Sequence, residues 1–133
     1  MEYRTSHHLV VLAEDAPEVR HQIGTMLAYE GYATARVTTG WEALAAVERF
    51  SPAIVVLDVD LPSPNGIALT RLLKRNPRHS HVPVLLLTAD TDSTRVEEGI
   101  AAGAAGCLTK PFSAAALQKA IVPLLHLASP AAA

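Results

Sequence analysis

Cysteine is almost absent from this chain: Cys107 stands alone among 133 residues. A disulfide framework or a cysteine-rich zinc site within one chain is therefore excluded. An excess of charge of one sign is also missing, since the formal net charge is −2. That balance argues against nucleic-acid or membrane-surface binding through bulk charge. Apolar runs stay far short of the ~20 residues that span a bilayer. The opening Met1-Glu2-Tyr3-Arg4-Thr5-Ser6 lacks a secretory-type apolar stretch. No repeat of fixed period and no linker interrupts the sequence. These absences lead to the expectation of a soluble, cytoplasmic domain without direct nucleic-acid or membrane contact.

What is present is enough for one core. Half the residues are hydrophobic and 18% are charged, a balance that disfavours disorder. A chain of this length buries roughly two-thirds of its unfolded surface. One domain over residues 1–127 is expected, with a short frayed tail at 128–133.

Apolar runs of strand length alternate with amphipathic stretches of helix length. Leu9–Ala13 reads as the first strand. Pro17 suits a helix first turn, and Val19, Ile23, Met26 and Leu27 share a face up to a stop at Gly31. Tyr32–Val37 reads as a second strand. Thr39-Gly40 opens a second helix with Ala43, Leu44, Val47 and Phe50 inward, ended by Pro52. Ala53–Leu57 is uniformly apolar, as a strand covered on both faces should be. A turn with Pro62, Pro64, Asn65 and Gly66 leads to a third helix through Ile67, Leu69, Leu72 and Leu73, ending before Asn76-Pro77. Val82–Leu87 is a fourth strand with Pro83 near its start. Ser93 is placed to cap a fourth helix with Val96 and Ile100, closed by Gly103. Gly106–Thr109 is a short fifth strand. Ser113 is placed to cap a fifth helix with Leu117, Ile121, Leu124 and Leu125 inward, which Pro123 should kink or shorten. Five strands each followed by a helix require crossovers, hence a parallel sheet and an α/β fold.

Ligands of open parallel sheets collect beyond the carboxyl ends of the strands. Glu14 and Asp15 follow the first strand there. Asp58 follows the third, with Asp60 two residues on. Thr88 follows the fourth and Lys110, then Pro111, the fifth. Close carboxylates repel one another unless a cation sits among them, and hard oxygen ligands suit Mg²⁺, or Mn²⁺ in its place. A carboxylate at the end of a buried strand can attack phosphorus and form an acyl phosphate. The charge on the transferred oxygens then needs neutralising, which the metal, the Lys110 ammonium and the Thr88 hydroxyl can share. Asp58 ends the most apolar strand and is the best candidate nucleophile.

These residues, with Gly40-Trp41-Glu42-Ala43-Leu44, Asn65-Gly66, Val82–Ala89, Ala102-Gly103-Ala104 and Leu108–Phe112, make the chain resemble the response-regulator receiver domains of two-component signalling over about residues 8–127. The resemblance implies a flavodoxin-like five-stranded sheet of order 2-1-3-4-5. It implies that Asp58 takes a phosphoryl group from a sensor histidine kinase or a phosphotransfer protein. Asp15, Asp58 and the Asp60 backbone carbonyl would ligate Mg²⁺, with Glu14 acting mainly through water. Thr88 would bind the phosphoryl group and Lys110 pair with it, and the Lys110–Pro111 bond would be cis. Output would pass to a downstream protein through the fourth helix, fifth strand and fifth helix, from a monomer or weak dimer. Such a module is not an enzyme acting on a separate substrate; it catalyses its own phosphorylation and dephosphorylation.

Some positions depart from that family. Its usual aromatic ring, three residues before the lysine, is replaced by Cys107, which has no ring to turn inward. Asp60 and Asp90 occupy positions that flank the phosphoryl group and vary with its lifetime, and Ala89 lies between Thr88 and Asp90.

Two other functions compete with this one. Asp58-Val59-Asp60 also looks like the opening D-x-D motif of haloacid-dehalogenase phosphatases. Motif order opposes this, because Glu14-Asp15 comes first and no acid follows Lys110. A docking module that no longer takes phosphate is opposed by the intact acidic set. Elsewhere, Cys107 reads as a small buried hydrophobe and Trp41 as partly packed surface. His7-His8 and His79-Ser80-His81 read as solvated loops at the other ends of the strands, and His21 as helix surface.

Overall fold

Residues 8–89 and 93–127 are described by the computed structural model. The expected tail at 128–133, His7 and Asp90 lie outside them. The elements are β1 (Leu9–Ala13), α1 (Pro17–Tyr29), β2 (Ala33–Val37), α2 (Gly40–Phe50), β3 (Ile54–Asp58), α3 (Gly66–Arg75), β4 (Val84–Thr88), α4 (Ser93–Ala102), β5 (Gly106–Thr109) and α5 (Ala114–Leu127). The five strands form one parallel sheet in the order β2-β1-β3-β4-β5. This is the expected flavodoxin-like α/β architecture.

Strand alternation divides the core between the two faces of the sheet. Val11, Ala13, Val55 and Leu57 pack with Ala43 and Val47 of α2 and with Ile67, Leu69 and Leu73 of α3. Their neighbours Val10, Leu12, Ile54 and Val56 pack instead with Ile23 and Leu27 of α1 and with Leu117 and Ile121 of α5. Every residue of β3 and β4 is buried. Each large side chain so covered contributes about 1.5–3 kcal/mol of hydrophobic stabilisation, which explains why β3 reads as an unbroken apolar run.

The strand limits differ from the sequence reading in an informative way. Pro83 accepts a hydrogen bond from Val55 N at 3.0 Å but has no N–H to return, so β4 begins at Val84. Asp58 and Thr88 are therefore the last residues of β3 and β4 rather than loop residues beyond them. Their backbones are fixed by the sheet. Tyr32, expected in β2, precedes it and is buried.

Helix ends follow local chemistry. Asn65 Oδ1 accepts from Ala68 N at 2.8 Å and Ser113 Oγ from Ala116 N at 3.0 Å, so both are N-caps. Ser93 is the first residue of α4, not its cap. Gly31 and Gly103 adopt φ of 92° and 111° just past α1 and α4, backbone that only glycine takes without strain. Pro123 does not shorten α5, which continues to Leu127. It is solvent-exposed while Leu117, Ile121, Leu124 and Leu125 are buried, so packing offsets the missing hydrogen bond. Phe50, expected inward, is 46% exposed at the last residue of α2, with the Arg49 guanidinium 5.5 Å from its ring centroid.

Gly66 ties the fold to the site. A Cβ there would lie 2.5 Å from the Asp58 carbonyl oxygen and 3.0 Å from Val59 Cα. Only glycine lets α3 start this close to the end of β3. Gly66→Ala is expected to destabilise the fold by about 1–3 kcal/mol, the usual cost of overpacking. A urea midpoint equal to wild type would show that α3 shifts freely.

Candidate functional site

The sheet order reverses direction at β1 and β3, the place where open α/β sheets form a crevice. Ala13 pairs with Leu57 across these strands, which brings Glu14 and Asp15 beside Asp58. On the other side Asp58 pairs with Leu87 and Thr88 with Thr109, and Lys110 N donates to Thr88 O at 2.7 Å. Register alone therefore gathers residues at the carboxyl ends of four strands onto one rim.

The side chains converge further. Carboxylate oxygens of Glu14, Asp15 and Asp58 lie within 4.8 Å of one another. Glu14 and Asp58 are buried, at 1% and 3% exposure, whereas Asp15 faces solvent. Lys110 Nζ stands 3.1 Å from Glu14 Oε1 and 3.4 Å from Asp58 Oδ2. The second oxygen of Glu14 accepts from Ala16 N at 3.2 Å, and Asp58 Oδ1 accepts from Asp60 N at 3.1 Å. Arg20 braces the acidic loop by donating to the Glu14 carbonyl at 2.9 Å.

Burial pushes the Glu14 carboxyl above its ordinary value, and the nearby Asp58 charge adds to this against the Ala16 N–H and Lys110. Burial by itself would lower Lys110, but Glu14 and Asp58 together hold its ammonium above the usual lysine value. The cluster has more negative than positive charge and is partly desolvated. Its donor set is oxygen only, with Asp15 open to water, which fits a hard divalent cation that keeps several waters.

Thr88 is buried, at 2% exposure, and Ala89 is exposed at the same rim. The Lys110–Pro111 peptide bond is cis, and so is Ser63–Pro64. Cys107 is apart from the charged cluster: it packs against the core face that α2, α3 and α4 cover, and burial pushes its thiol above the ordinary value. Alkylation of Cys107 near neutral pH is expected to be slower than that of a free thiol, because burial holds back thiolate formation. A rate matching free cysteine would show an activated thiol.

Two features escaped the sequence. Arg95 NH2 pairs with Asp60 Oδ1 at 3.0 Å, although the two lie far apart in the chain. Arg20 carries no signal beyond its place in the first turns of α1. His79 is a correction: it is 6% exposed rather than solvated, with Nε2 3.9 Å from Glu48 Oε2. The α3–β4 connection folds inward because Lys74 Nζ donates to the carbonyls of Ser80 and Val82, at 3.0 and 2.6 Å.

Comparison with known proteins gives a consistent answer. A family model described as response regulator receiver domain matches residues 10–122. The DNA-binding response regulator MtrA of Mycolicibacterium smegmatis is 36% identical over 108 residues, covering 81% of this chain and 46% of that protein. The chain thus spans about half the length of the curated relatives it matches. The receiver domain of sensor histidine kinase PA1611 from Pseudomonas aeruginosa, solved with a magnesium ion in its active site cleft, superposes with a TM-score of 0.83 at 29% identity, covering 90% of this chain and 98% of that one. The chemotaxis response regulator CheY4 of Vibrio cholerae gives a TM-score of 0.82 at 27% identity over 88% of this chain and 98% of that one.

Proposed function

The chain belongs to the response regulator receiver domains, and from that membership we propose that Asp58 accepts a phosphoryl group from a phosphohistidine of a sensor kinase or phosphotransfer protein. The observation that carries this reading is the Asp58 carboxylate at the end of β3, held between Lys110 and the Glu14–Asp15 pair. An Asp58 oxygen attacks phosphorus, the O–P bond forms, and the N–P bond breaks with its electron pair passing to the leaving imidazole. The sheet aims the carboxylate, and the Asp60 N–H holds its other oxygen. Lys110 is near enough to neutralise an oxygen of the arriving group, and the Thr88 hydroxyl ends the neighbouring strand. Such preorganised charge acts where it develops. The same groups, with water as the attacking species, would return the domain to its resting state.

Mg²⁺ fits this oxygen donor set, and Asp15, Asp58 and the Asp60 carbonyl would hold it, with Glu14 acting mainly through water. When bound it supplies positive charge for the phosphoryl oxygens. Mn²⁺ suits the same ligands. Asp15→Ala is expected to weaken Mg²⁺ binding tenfold or more, about 1.4 kcal/mol, and to lose phosphorylation by acetyl phosphate. Titration calorimetry and phosphate labelling read the two separately; normal labelling without divalent metal would contradict the assignment.

Output belongs to the same proposal. Ile100 of α4 is 49% exposed, which favours a downstream protein docking across α4, β5 and α5 of a monomer or weak dimer. The expectation of no nucleic-acid contact concerns these residues alone, since the relative named for DNA binding is more than half uncovered. Among the described residues no helix is long and apolar enough to cross a membrane, and a cytoplasmic location is part of this proposal. The phosphatase alternative finds no support in the similarities to receiver domains.

A further inference from the structure

Arg95, in the first turn of α4, forms an ion pair with Asp60 at 3.0 Å. Asp60 lies two residues beyond Asp58, and its backbone N–H donates to Asp58 Oδ1 at 3.1 Å. An anionic phosphoryl donor approaching Asp58 therefore meets a rim with Glu14, Asp15, Asp58 and Asp60 on it. Lys110 is already engaged with Glu14 and Asp58. The guanidinium of Arg95 is the cation that answers Asp60. The pair is partly solvated, with side chains 34% and 66% exposed, so it adds little to stability. Its electrostatic effect on an incoming dianion is a separate matter, because like charge at close range is repulsive even through water.

We infer that Arg95 is a positioning residue for phosphoryl acceptance: it neutralises the Asp60 carboxylate and draws it toward α4, clearing an approach to Asp58 for an anionic donor. This rests on the phosphoacceptor reading above. The guanidinium acts through Asp60 and needs no contact with the reacting atoms.

The test is the rate of phosphorylation by acetyl phosphate with saturating Mg²⁺. Arg95→Ala is expected to slow labelling about tenfold at low salt, with a smaller deficit near 1 M salt, where the screening length falls to about 3 Å. Arg95→Lys is expected to keep most of the rate. Asp60→Asn combined with Arg95→Ala removes the unpaired charge while keeping the Asp60 backbone carbonyl, and should recover the rate to within about twofold of wild type, a non-additive result that a double-mutant cycle isolates. A purely structural role for Arg95 would give neither the salt dependence nor the rescue. Arg95→Ala labelling as fast as wild type, or a double variant as slow as Arg95→Ala, would overturn the inference while leaving the phosphoacceptor reading intact. A wild type that takes no phosphoryl group would overturn that reading and this inference with it.

Discussion

Asp58→Asn is expected to take up no phosphoryl group from acetyl phosphate or phosphoramidate, while wild type gains one that is stable to acid and labile to base. An amide lacks the charge that makes the carboxylate oxygen a nucleophile, and no other carboxylate ends β3. Folding should survive, because Asn keeps the shape and an oxygen for the Asp60 N–H now received at 3.1 Å. Stability without Mg²⁺ should rise by about 1 kcal/mol. One carboxylate leaves a group of three converging within 4.8 Å, and unit charges 4 Å apart interact by about 1 to 4 kcal/mol between bulk water and a protein surface. The lost attraction to Lys110 at 3.4 Å offsets part of that relief. Mass spectrometry of the intact protein and a thermal melt measure both effects. Equal labelling of the Asn variant would sink the assignment, and a large drop in melting temperature would make Asp58 a structural anchor instead.

Lys110→Ala should cost both response and stability. Glu14 and Asp58 would remain buried with no cation on either. Removing one partner of a buried pair costs about 3–5 kcal/mol when solvent is excluded; Lys110 is 19% exposed, so about 1–3 kcal/mol is expected at neutral pH. The sign with pH follows from Glu14. Burial already raises its folded pKa above the ordinary 4.5, and losing the ammonium raises it further. The folded variant then binds more protons than the unfolded chain between 4.5 and that raised value. The deficit against wild type is therefore full above the variant's raised value and shrinks as pH falls from there toward the lower, wild-type folded value. For wild type, the raised Lys110 contributes stability below about 10.5 that is lost as pH climbs through its folded value. Denaturant melts at pH 7 and 4.5 test this, and Mg²⁺ should recover part of the loss. Phosphate should still transfer, slowly, but its charge of about −1.5 to −2 would no longer pull on β5. Chemical-shift changes around Thr88 on adding beryllofluoride should shrink; an undiminished response would show that the lysine is not the coupling element.

Most of the rim was legible because a parallel sheet aligns the residues that end its strands. Any polar residue closing an apolar run of strand length must fall on that edge, so the place of Glu14, Asp15, Asp58, Thr88 and Lys110 follows from the sequence. The strand order was not legible from periodicity: it came from the resemblance, and the pairings of Ala13 with Leu57 and Asp58 with Leu87 agree with it. The ends of β3 and β4 each lie a residue or more from where the apolar runs place them. The reason is the same in both cases: sheet membership depends on which neighbouring strand supplies the hydrogen bond, and that is not a local property.

Helix faces divided similarly. Val47 and Leu73 announce their burial by spacing, whereas Phe50 shares the apolar type but sits at the last residue of α2 with Arg49 over its ring. His79 looked like a solvated loop residue because its neighbours are polar. It is buried because Lys74 ties down the carbonyls of Ser80 and Val82 around it.

The sequence by itself determined the alternation of strand and helix, the sheet's parallel sense, and which residues stand at its carboxyl edge, since each follows from local hydrophobic period and chain direction. Only the tertiary structure decided which charges meet. Lys110 reaches both Glu14 and Asp58, Arg95 finds Asp60, and Arg20 braces the acidic loop. Those pairings depend on distances between elements remote in the chain, set by how the helices pack on the sheet, and no spacing along the sequence encodes a distance across it.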